Sequence, residues 1–378
     1  MRLLHTSDWH LGRSLHGEAL IDAQAAFADL LVEVVASEGI DAVLVAGDLY
    51  DRAIPPLDAV ELFDDTLLRL RSTGVPVVLI AGNHDSAGRL AFGSRLLEAA
   101  GVHLRTRVET CGEPVLLADG AGDVAIYPLP YLEPALSCSQ LEAGDVRHEA
   151  VLRAAMGRVA ADRARRGEPR AVVVAHAFVT GGETCDSERD LTVGGTASVP
   201  AAVFAGVDYV ALGHLHRPQQ LAERIAYSGS PIAYSFSEAG HPKSFTVVDL
   251  PASGPPRLER IPIPPWRPMA RLRGSLDELL SSAEFTGHEH AWLEITVTDE
   301  QRPANPMERL RKRFPHVLRL VFEASTTTEV VYGEKVEGRS DLDVCRAFVE
   351  HVRGRPVTAA EDALLDAAVQ AQRIAEVA

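Results

Sequence analysis

Cysteine is scarce in this sequence of 378 residues: only Cys111, Cys138, Cys185 and Cys345 occur, far apart and with no C-x-x-C pair. That argues against a disulfide framework and for reduced thiols in a cytoplasmic protein. No apolar run approaches the ~20 residues of a membrane helix, so no membrane association is expected. A strand is expected from Arg2 onward, which leaves no room for a secretory leader. Internal repeats and long low-complexity tracts are absent as well. Positive charge is in deficit, with 37 Lys and Arg against 53 Asp and Glu, a net charge of −16. Such a surface does not hold nucleic acid through its overall field. Any nucleic-acid chemistry must use local positive charge, bound metal ions or a basic partner.

What is present is a large apolar fraction, 46% of residues. That is enough for one core and a second domain, since single cores stop growing near roughly 250–300 residues. The first ~250 residues alternate strand and helix patterns, as in a layered α/β domain. Apolar strands are expected at "RLLHTS", "DAVLVAG", "PVVLIAG", "RAVVVAH" and "DYVALGH", with shorter ones at "RIAYSG" and "KSFTVVDL". Helices are expected over 22–37, 56–72, 89–100 and 146–166. "PASGPPRLERIPIPPWRPM", with seven prolines, reads as a linker or irregular extended crossover. A smaller α/β unit follows, with strands "AWLEITVT" and "VLRLVFEA" around a basic helix "NPMERLRKRF". Two helical patterns, 341–352 and 359–377, close the chain.

Five of the buried strands end in polar chemistry. "LLHTSDWH" ends in Asp8 and His10, "AVLVAGDLYD" in Asp48 and Asp51, and "VVLIAGNHD" in Asn83, His84 and Asp85. "VVVAH" ends in His176, and "YVALGHLH" in His214 and His216. Sites in open α/β sheets form where the carboxyl ends of strands meet, so parallel, adjacent strands would bring these groups together. One stray His after a strand is usually structural; five coincidences are not. Buried carboxylates and imidazoles side by side are costly, and divalent cations offset that cost. Asp8, His10, Asp48, Asn83, His176, His214 and His216 make seven donors, too many for one ion and suited to two sharing a carboxylate. Imidazole with carboxylate fits Mn²⁺, Fe²⁺ or Zn²⁺.

The motifs "SDWH", "GDLYD", "GNHD", "VVAH" and "GHLH", in this order, resemble those of the calcineurin-like metallophosphoesterases. "TSDWHLGRSLHG", "GGETCDSERDLTVGG", "FAGVDYVALGHLHRPQ" and "YSGSPIAYSFSE" are similar to the SbcD family, nuclease subunits of bacterial DNA-repair complexes. The resemblance implies a layered α/β fold, central sheets flanked by helices, over residues 1–255. It also implies a smaller C-terminal α/β capping domain over 265–335 and terminal helices over 338–378. It further implies that Asp8, His10 and His216 hold one ion, that Asn83, His176 and His214 hold the other, and that Asp48 bridges them, with Mn²⁺ the first choice of metal. His84 would act at the scissile phosphate as the catalytic group. Asp85 either orients His84 or caps a turn. The implied reaction is hydrolysis of DNA phosphodiesters: ATP-dependent 3′-to-5′ exonuclease action on duplexes, and endonuclease action on single strands and hairpins. A stand-alone phosphoesterase and a metal-free scaffold are the rival readings.

Other residues admit blander roles. Arg52 suits the surface better than a phosphate contact. His5 suits the core, and His16 and His241 suit structural or solvent-facing places. Tyr227, Ser228 and Ser230 fit either DNA contact or a plain turn. Arg271 and Arg273, with Arg311, Lys312 and Arg313, are candidate DNA contacts, although "RLRKR" on a helix is commonly a solvated face. The terminal helices are amphipathic, through Leu342, Cys345, Phe348, Val349 and Val352 in one and Leu364, Leu365, Ala368, Ile374 and Val377 in the other. They either pack on their own domain or, as the resemblance implies, dock on the coiled coil of the SbcC ATPase. The implied assembly has two copies of each subunit, and a homodimer of the nuclease domain is a further possibility.

Overall fold

The computed structural model describes residues 1–188, 198–323, 340–353 and 355–377. Short strands with buried apolar centres assemble into two six-stranded sheets. The first sheet orders its strands Arg257–Ile263, Lys243–Asp249, Arg2–Thr6, Ala42–Val45, Val77–Ile80 and Val102–Arg105. Its last four are mutually parallel. The second sheet runs Gln219–Ala222, Ile225–Tyr227, Tyr209–Gly213, Arg170–His176, Gly122–Leu129 and Val115–Asp119. Within it, Gly122–Leu129, Arg170–His176, Tyr209–Gly213 and Ile225–Tyr227 are parallel.

Side-chain alternation sorts each strand between two apolar layers. Leu3, Leu44, Val78 and Ile80 of the first sheet pack against Val172, Val174, Tyr209 and Ala211 of the second. Leu4, Val43, Val77 and Leu79 face outward, onto Phe27, Leu31, Phe63 and Leu67 of helices Ile21–Ser37 and Leu57–Ser72. Helix His148–Arg165 covers the far face of the second sheet through Val151, Ala155 and Val159. The result is four layers, helix, sheet, sheet, helix. The five strands read as one set therefore divide between two sheets, three and two.

His5 lies in the seam between the sheets. It is fully buried, with Nδ1 2.9 Å from the Tyr209 hydroxyl and Nε2 3.1 Å from the Leu212 carbonyl. It is a satisfied core histidine, as its place in the first strand suggests.

Several expectations need correction. The Pro-rich "linker" contains strand Arg257–Ile263, paired antiparallel with Lys243–Asp249 along its whole length. It is an edge strand, where Pro262 is tolerated. The helix expected over 89–100 is two short helices, Ala87–Leu90 and Ser94–Ala99, broken at Gly93, whose φ is +73°. Strands Val102–Arg105, Val115–Asp119, Gly122–Leu129, Gln219–Ala222 and Met269–Gly274 were not expected.

Beyond residue 265 a third, fully parallel sheet orders Met269–Gly274, Trp292–Val297 and Val317–Phe322. It has its own apolar cluster around Leu279, Leu293, Ile295, Leu310 and Phe314. Yet Trp292 packs with Leu15, Leu20 and Tyr234, so residues 1–323 form one compact unit. Helices Asp341–Arg353 and Ala359–Val377 belong to a second, held together by Arg346 on Asp362 at 2.5 Å. In it Phe348, Val352 and Leu364 are exposed.

Burial lowers His5 to about 3, so the folded state keeps it neutral while the unfolded chain takes up a proton. Its share of stability is present above the unfolded value near 6.5 and is lost as pH falls toward 3. Urea unfolding of the wild type and His5→Gln at pH 6, 5 and 4 tests this. The wild type should lose up to about 1.4 kcal/mol per pH unit more than the variant. Equal slopes would mean that His5 is not held neutral.

Candidate metal centre

The polar strand ends meet along one edge of the two sheets, and glycines let them approach. A Cβ on Gly82 would stand 2.1 Å from Asp48 Oδ1, and one on Gly213 would stand 1.9 Å from the Ala46 carbonyl. The "GN" and "GH" motifs are thus close-approach glycines as well as strand ends. Four of the polar residues have backbone in the left-handed region: Asp8 at φ +53°, His10 at +44°, Asp48 at +52° and His214 at +109°. Strain of this kind gathers at functional sites, where surrounding structure holds it.

The donors form overlapping groups around Asp8, His10 and Asp48, one of which also includes His84. Asp8, His10 and His216 place ligand atoms within 4.8 Å of one another, and so do Asp8, Asp48 and His176. His10 Nε2 lies 3.1 Å from His216 Nε2. On the other side, Asn83 Oδ1 lies 2.8 Å from His176 Nε2 and 3.3 Å from His214 Nδ1. Asp48 Oδ2 stands 3.5 Å from both His10 Nε2 and His176 Nε2. Its other oxygen accepts the His84 backbone N–H at 2.9 Å. All seven residues singled out as ligands therefore converge.

The donors fit cations better than they fit one another. His176 Nδ1 donates to the Ala46 carbonyl at 2.8 Å, so Nε2 carries a lone pair. That lone pair points at another acceptor, Asn83 Oδ1, at 2.8 Å. Facing acceptors repel unless a cation shares them. Asn83 Nδ2 and His10 Nδ1 are buried without hydrogen-bond partners. Burial, then the charge of Asp48, pushes Asp8 well above the ordinary carboxylate range. Burial likewise lowers His10, His176, His214 and His216. Neutral imidazoles and crowded carboxylates are the state that divalent ions select.

His84 Nδ1 donates to the Asp51 carbonyl at 2.7 Å, and its ring stands edge-on to His10 at 4.7 Å. Asp85 does not orient it, which corrects one of the two roles considered. Its carboxylate instead accepts the backbone N–H groups of Leu49, Tyr50 and Gly82 at 3.0, 3.0 and 2.8 Å. Asp85 ties two ligand loops together. Burial and Asp48 push it up to about 7, against the pull of those three bonds.

The remaining candidates divide. Arg52 is exposed beside Asp51 at 3.8 Å. Tyr227, Ser228 and Ser230 are fully buried, so they are packing residues, and the Tyr227 hydroxyl bonds Val179 N and Ala177 O. His16 stacks on Phe236. Most of the basic candidates are paired locally: Arg271 with Glu294, Arg273 with Glu323, Lys312 with Glu308 and Arg313 with Glu289. Arg311 reaches the Val317 carbonyl. Two neighbours escaped the sequence reading. Arg13 lies 4.9 Å over the Tyr234 ring and donates to the Ser187 carbonyl at 2.8 Å, while Tyr234 stands between His10 and His216. Both lie within the quoted stretches "TSDWHLGRSLHG" and "YSGSPIAYSFSE", but neither is a metal-ligand residue type, so neither was singled out.

Asp48→Ala should cost the protein both ions, whereas Asn83→Ala should weaken only one. Metal analysis after gel filtration reads the difference, and two ions retained by Asp48→Ala would remove the bridging role.

Comparison with known proteins accords with this geometry. Residues 1–218 match the family model for calcineurin-like phosphoesterases, and residues 265–353 match the type 5 capsule protein repressor C-terminal domain. The SbcD subunit of the SbcCD nuclease from Bacillus subtilis (strain 168) is 38% identical over 367 residues, covering 93% of this chain and 90% of that protein. Among solved structures, a dimetal phosphatase from Danio rerio aligns over 70% of this chain and 98% of its own, at 15% identity and a TM-score of 0.42. The protein TT1561 of Thermus thermophilus aligns over 70% and 99%, at 13% identity and 0.41. These two scores are too low to add weight; the family model and the Bacillus relative supply it. The chain belongs to the calcineurin-like phosphoesterase family and, within it, to the SbcD nuclease subunits.

Proposed function

We propose that this protein is a two-metal DNA nuclease working with an SbcC-type ATPase. The observation that carries the reading is Asp48 Oδ2, equidistant at 3.5 Å from histidines of two donor groups. Two divalent ions held there, Mn²⁺ first and Fe²⁺ or Zn²⁺ as alternatives, would polarise a phosphodiester oxygen and activate a water for in-line attack. Asp8, His10 and His216 would hold one, Asn83, His176 and His214 the other, and Asp48 both.

The chain's own part in the reaction falls to His84. The hydrogen bond from Nδ1 to the Asp51 carbonyl fixes the ring and turns Nε2 toward the cluster. As an imidazolium it can hand its Nε2 proton to the leaving oxygen. Its backbone N–H, held by Asp48 Oδ1, sets that ring against the bridging residue.

Substrate must reach this edge despite a net charge of −16. A cavity of about 250 Å³ adjoins the cluster, lined by Arg13, His16, Asp186, Tyr234, Arg271 and Arg319. Of the basic candidates, Arg271 is the one on its wall, and backbone phosphates of DNA are what this arginine-lined cleft suits. Arg273, Arg311, Lys312 and Arg313 are weaker candidates because none of them lines this cavity. Residues 1–255 would be the nuclease domain, 265–335 the cap that positions DNA, and 338–378 the segment that docks on SbcC. The activities that follow are ATP-dependent 3′-to-5′ exonuclease on duplexes and endonuclease on hairpins and single strands, in a cytoplasmic assembly with two copies of each subunit.

The test is a matrix of metal and substrate with and without the ATPase partner and ATP. Hairpin DNA should be cut. Rapid turnover of a chromogenic phosphodiester with no cleavage of DNA in any condition would replace the nuclease by a stand-alone phosphoesterase. His84→Ala should keep both ions and lose about 10²–10⁴-fold in hydrolysis; wild-type cutting would strip His84 of its role. Truncation after Ser340 should spare the metals and abolish association with the ATPase, measured by co-elution. Unchanged co-elution would place the docking surface elsewhere.

A further inference from the structure

The stretch "GGETCDSERDLTVGG" has no part in the chemistry above, yet its described residues grip a ligand. Glu188 accepts the His216 backbone N–H at 2.6 Å with Oε1 and the Cys185 N–H at 2.6 Å with Oε2. Ser187 Oγ lies 2.7 Å from His216 Nδ1. Behind Ser187 sits Glu238, 1% exposed, whose Oε1 accepts from Ser187 Oγ at 2.6 Å and from Tyr234 N at 3.0 Å. Its Oε2 faces Lys243 Nζ at 2.5 Å. Lys243 spends its other protons on the His216 carbonyl and Ser230 Oγ, each at 2.9 Å. His216 is thus held at its backbone N–H, its carbonyl and its ring.

The directions of these bonds are forced. A carboxylate beside an ammonium has only lone pairs to offer. The Ser187 proton therefore goes to Glu238, and the serine oxygen accepts from His216 Nδ1–H. That leaves the lone pair of His216 on Nε2, the nitrogen 3.1 Å from His10 Nε2. A buried Lys–Glu pair is a poor source of stability compared with apolar residues of the same volume, so its place directly behind a ligand calls for another reason. The other donor group fixes its ring differently. His176 donates to the backbone carbonyl of Ala46, a partner that no side-chain substitution removes.

We propose that Lys243, Glu238 and Ser187 are positioning residues that lock His216 as its Nδ1–H tautomer and so set the affinity of one ion, the one held with Asp8 and His10, independently of the other. The inference rests on His216 being a ligand. Partners of this kind are worth about 10–100-fold in metal affinity.

Two variants of equal shape isolate the hydroxyl: Ser187→Thr keeps it and Ser187→Val does not. The full-length apoprotein is titrated with Mn²⁺ and followed by electron paramagnetic resonance. Wild type and Ser187→Thr should bind two ions alike. Ser187→Val should bind one as the wild type does and the other about 10–100-fold more weakly. Two ions at wild-type affinity in Ser187→Val, or equal weakening of both, would overturn the proposal. A second measurement needs no variant to fold well. Long-range ¹H–¹⁵N correlations of the histidine-labelled wild-type apoprotein, with His216→Gln to assign the resonance, should show a proton on Nδ1. A proton on Nε2 would overturn the relay whatever the titrations give. If the wild type binds two ions and follows this pattern but leaves DNA intact, the nuclease reading fails and the relay stands.

Discussion

Everything at this edge of the molecule depends on lone pairs forced together. Asp8, Asp48 and four imidazoles are buried together and Asn83 partly so, with acceptor facing acceptor at 2.8 Å between Asn83 and His176. Left alone, such a cluster opposes folding, through both desolvation and mutual repulsion. The protein tolerates it because two sheets, each with an apolar layer on both faces, hold the strand ends in place. The left-handed backbone at Asp8, His10, Asp48 and His214 shows where that scaffold takes up the strain. Fold and metal binding are therefore linked: an ion that binds only the folded chain adds to its stability in proportion to its affinity.

That linkage explains why structural residues crowd so closely behind the ligands. Asp85, with three backbone N–H bonds, ties the loop after Ala42–Val45 to the loop after Val77–Ile80. Glu188 and Glu238 do the corresponding work for His216 on the second sheet. Acidic side chains that could be mistaken for ligands or catalysts are consumed, Asp85 and Glu188 by backbone amides and Glu238 by Ser187, Lys243 and the Tyr234 amide. Their charge still matters, because it adds to the negative field that cations entering the site would meet.

The parts legible in the sequence were those with a strong local pattern. Runs such as "AVLVAG" and "VVLIAG" can hardly be anything but buried strands, and the polar residues at their tips, Asp48 after one and Asn83, His84 and Asp85 after the other, are conspicuous against them. What could not be read was long-range or weakly patterned. Strand Arg257–Ile263 carries Pro262 and lies among prolines, and its identity comes only from its pairing with Lys243–Asp249. The split of five strands between two sheets leaves no trace in periodicity, because each strand is buried on both faces either way. Asp85 sits next to His84 in the chain, so orientation of the ring was a fair expectation; the turn sends its carboxylate the other way. Ser187, Glu238 and Lys243 are ordinary polar residues until folding places them in a row.

Charge gives the remaining step of synthesis. The basic residues that stood out in an acidic chain are mostly spent on carboxylates nearby: Arg271 binds Glu294, Arg273 binds Glu323 and Arg313 binds Glu289. Each pair fixes the third sheet and its helices rather than raising a positive field. Positive charge is left to the cleft beside the cluster, lined by Arg13, Arg271 and Arg319, where Arg13 is held by the Tyr234 ring and the Ser187 carbonyl. A polyanion approaching such a molecule meets attraction only at close range, from the ions and a few arginines. Weak capture with strong local chemistry is the balance that the proposed ATPase partner would complement.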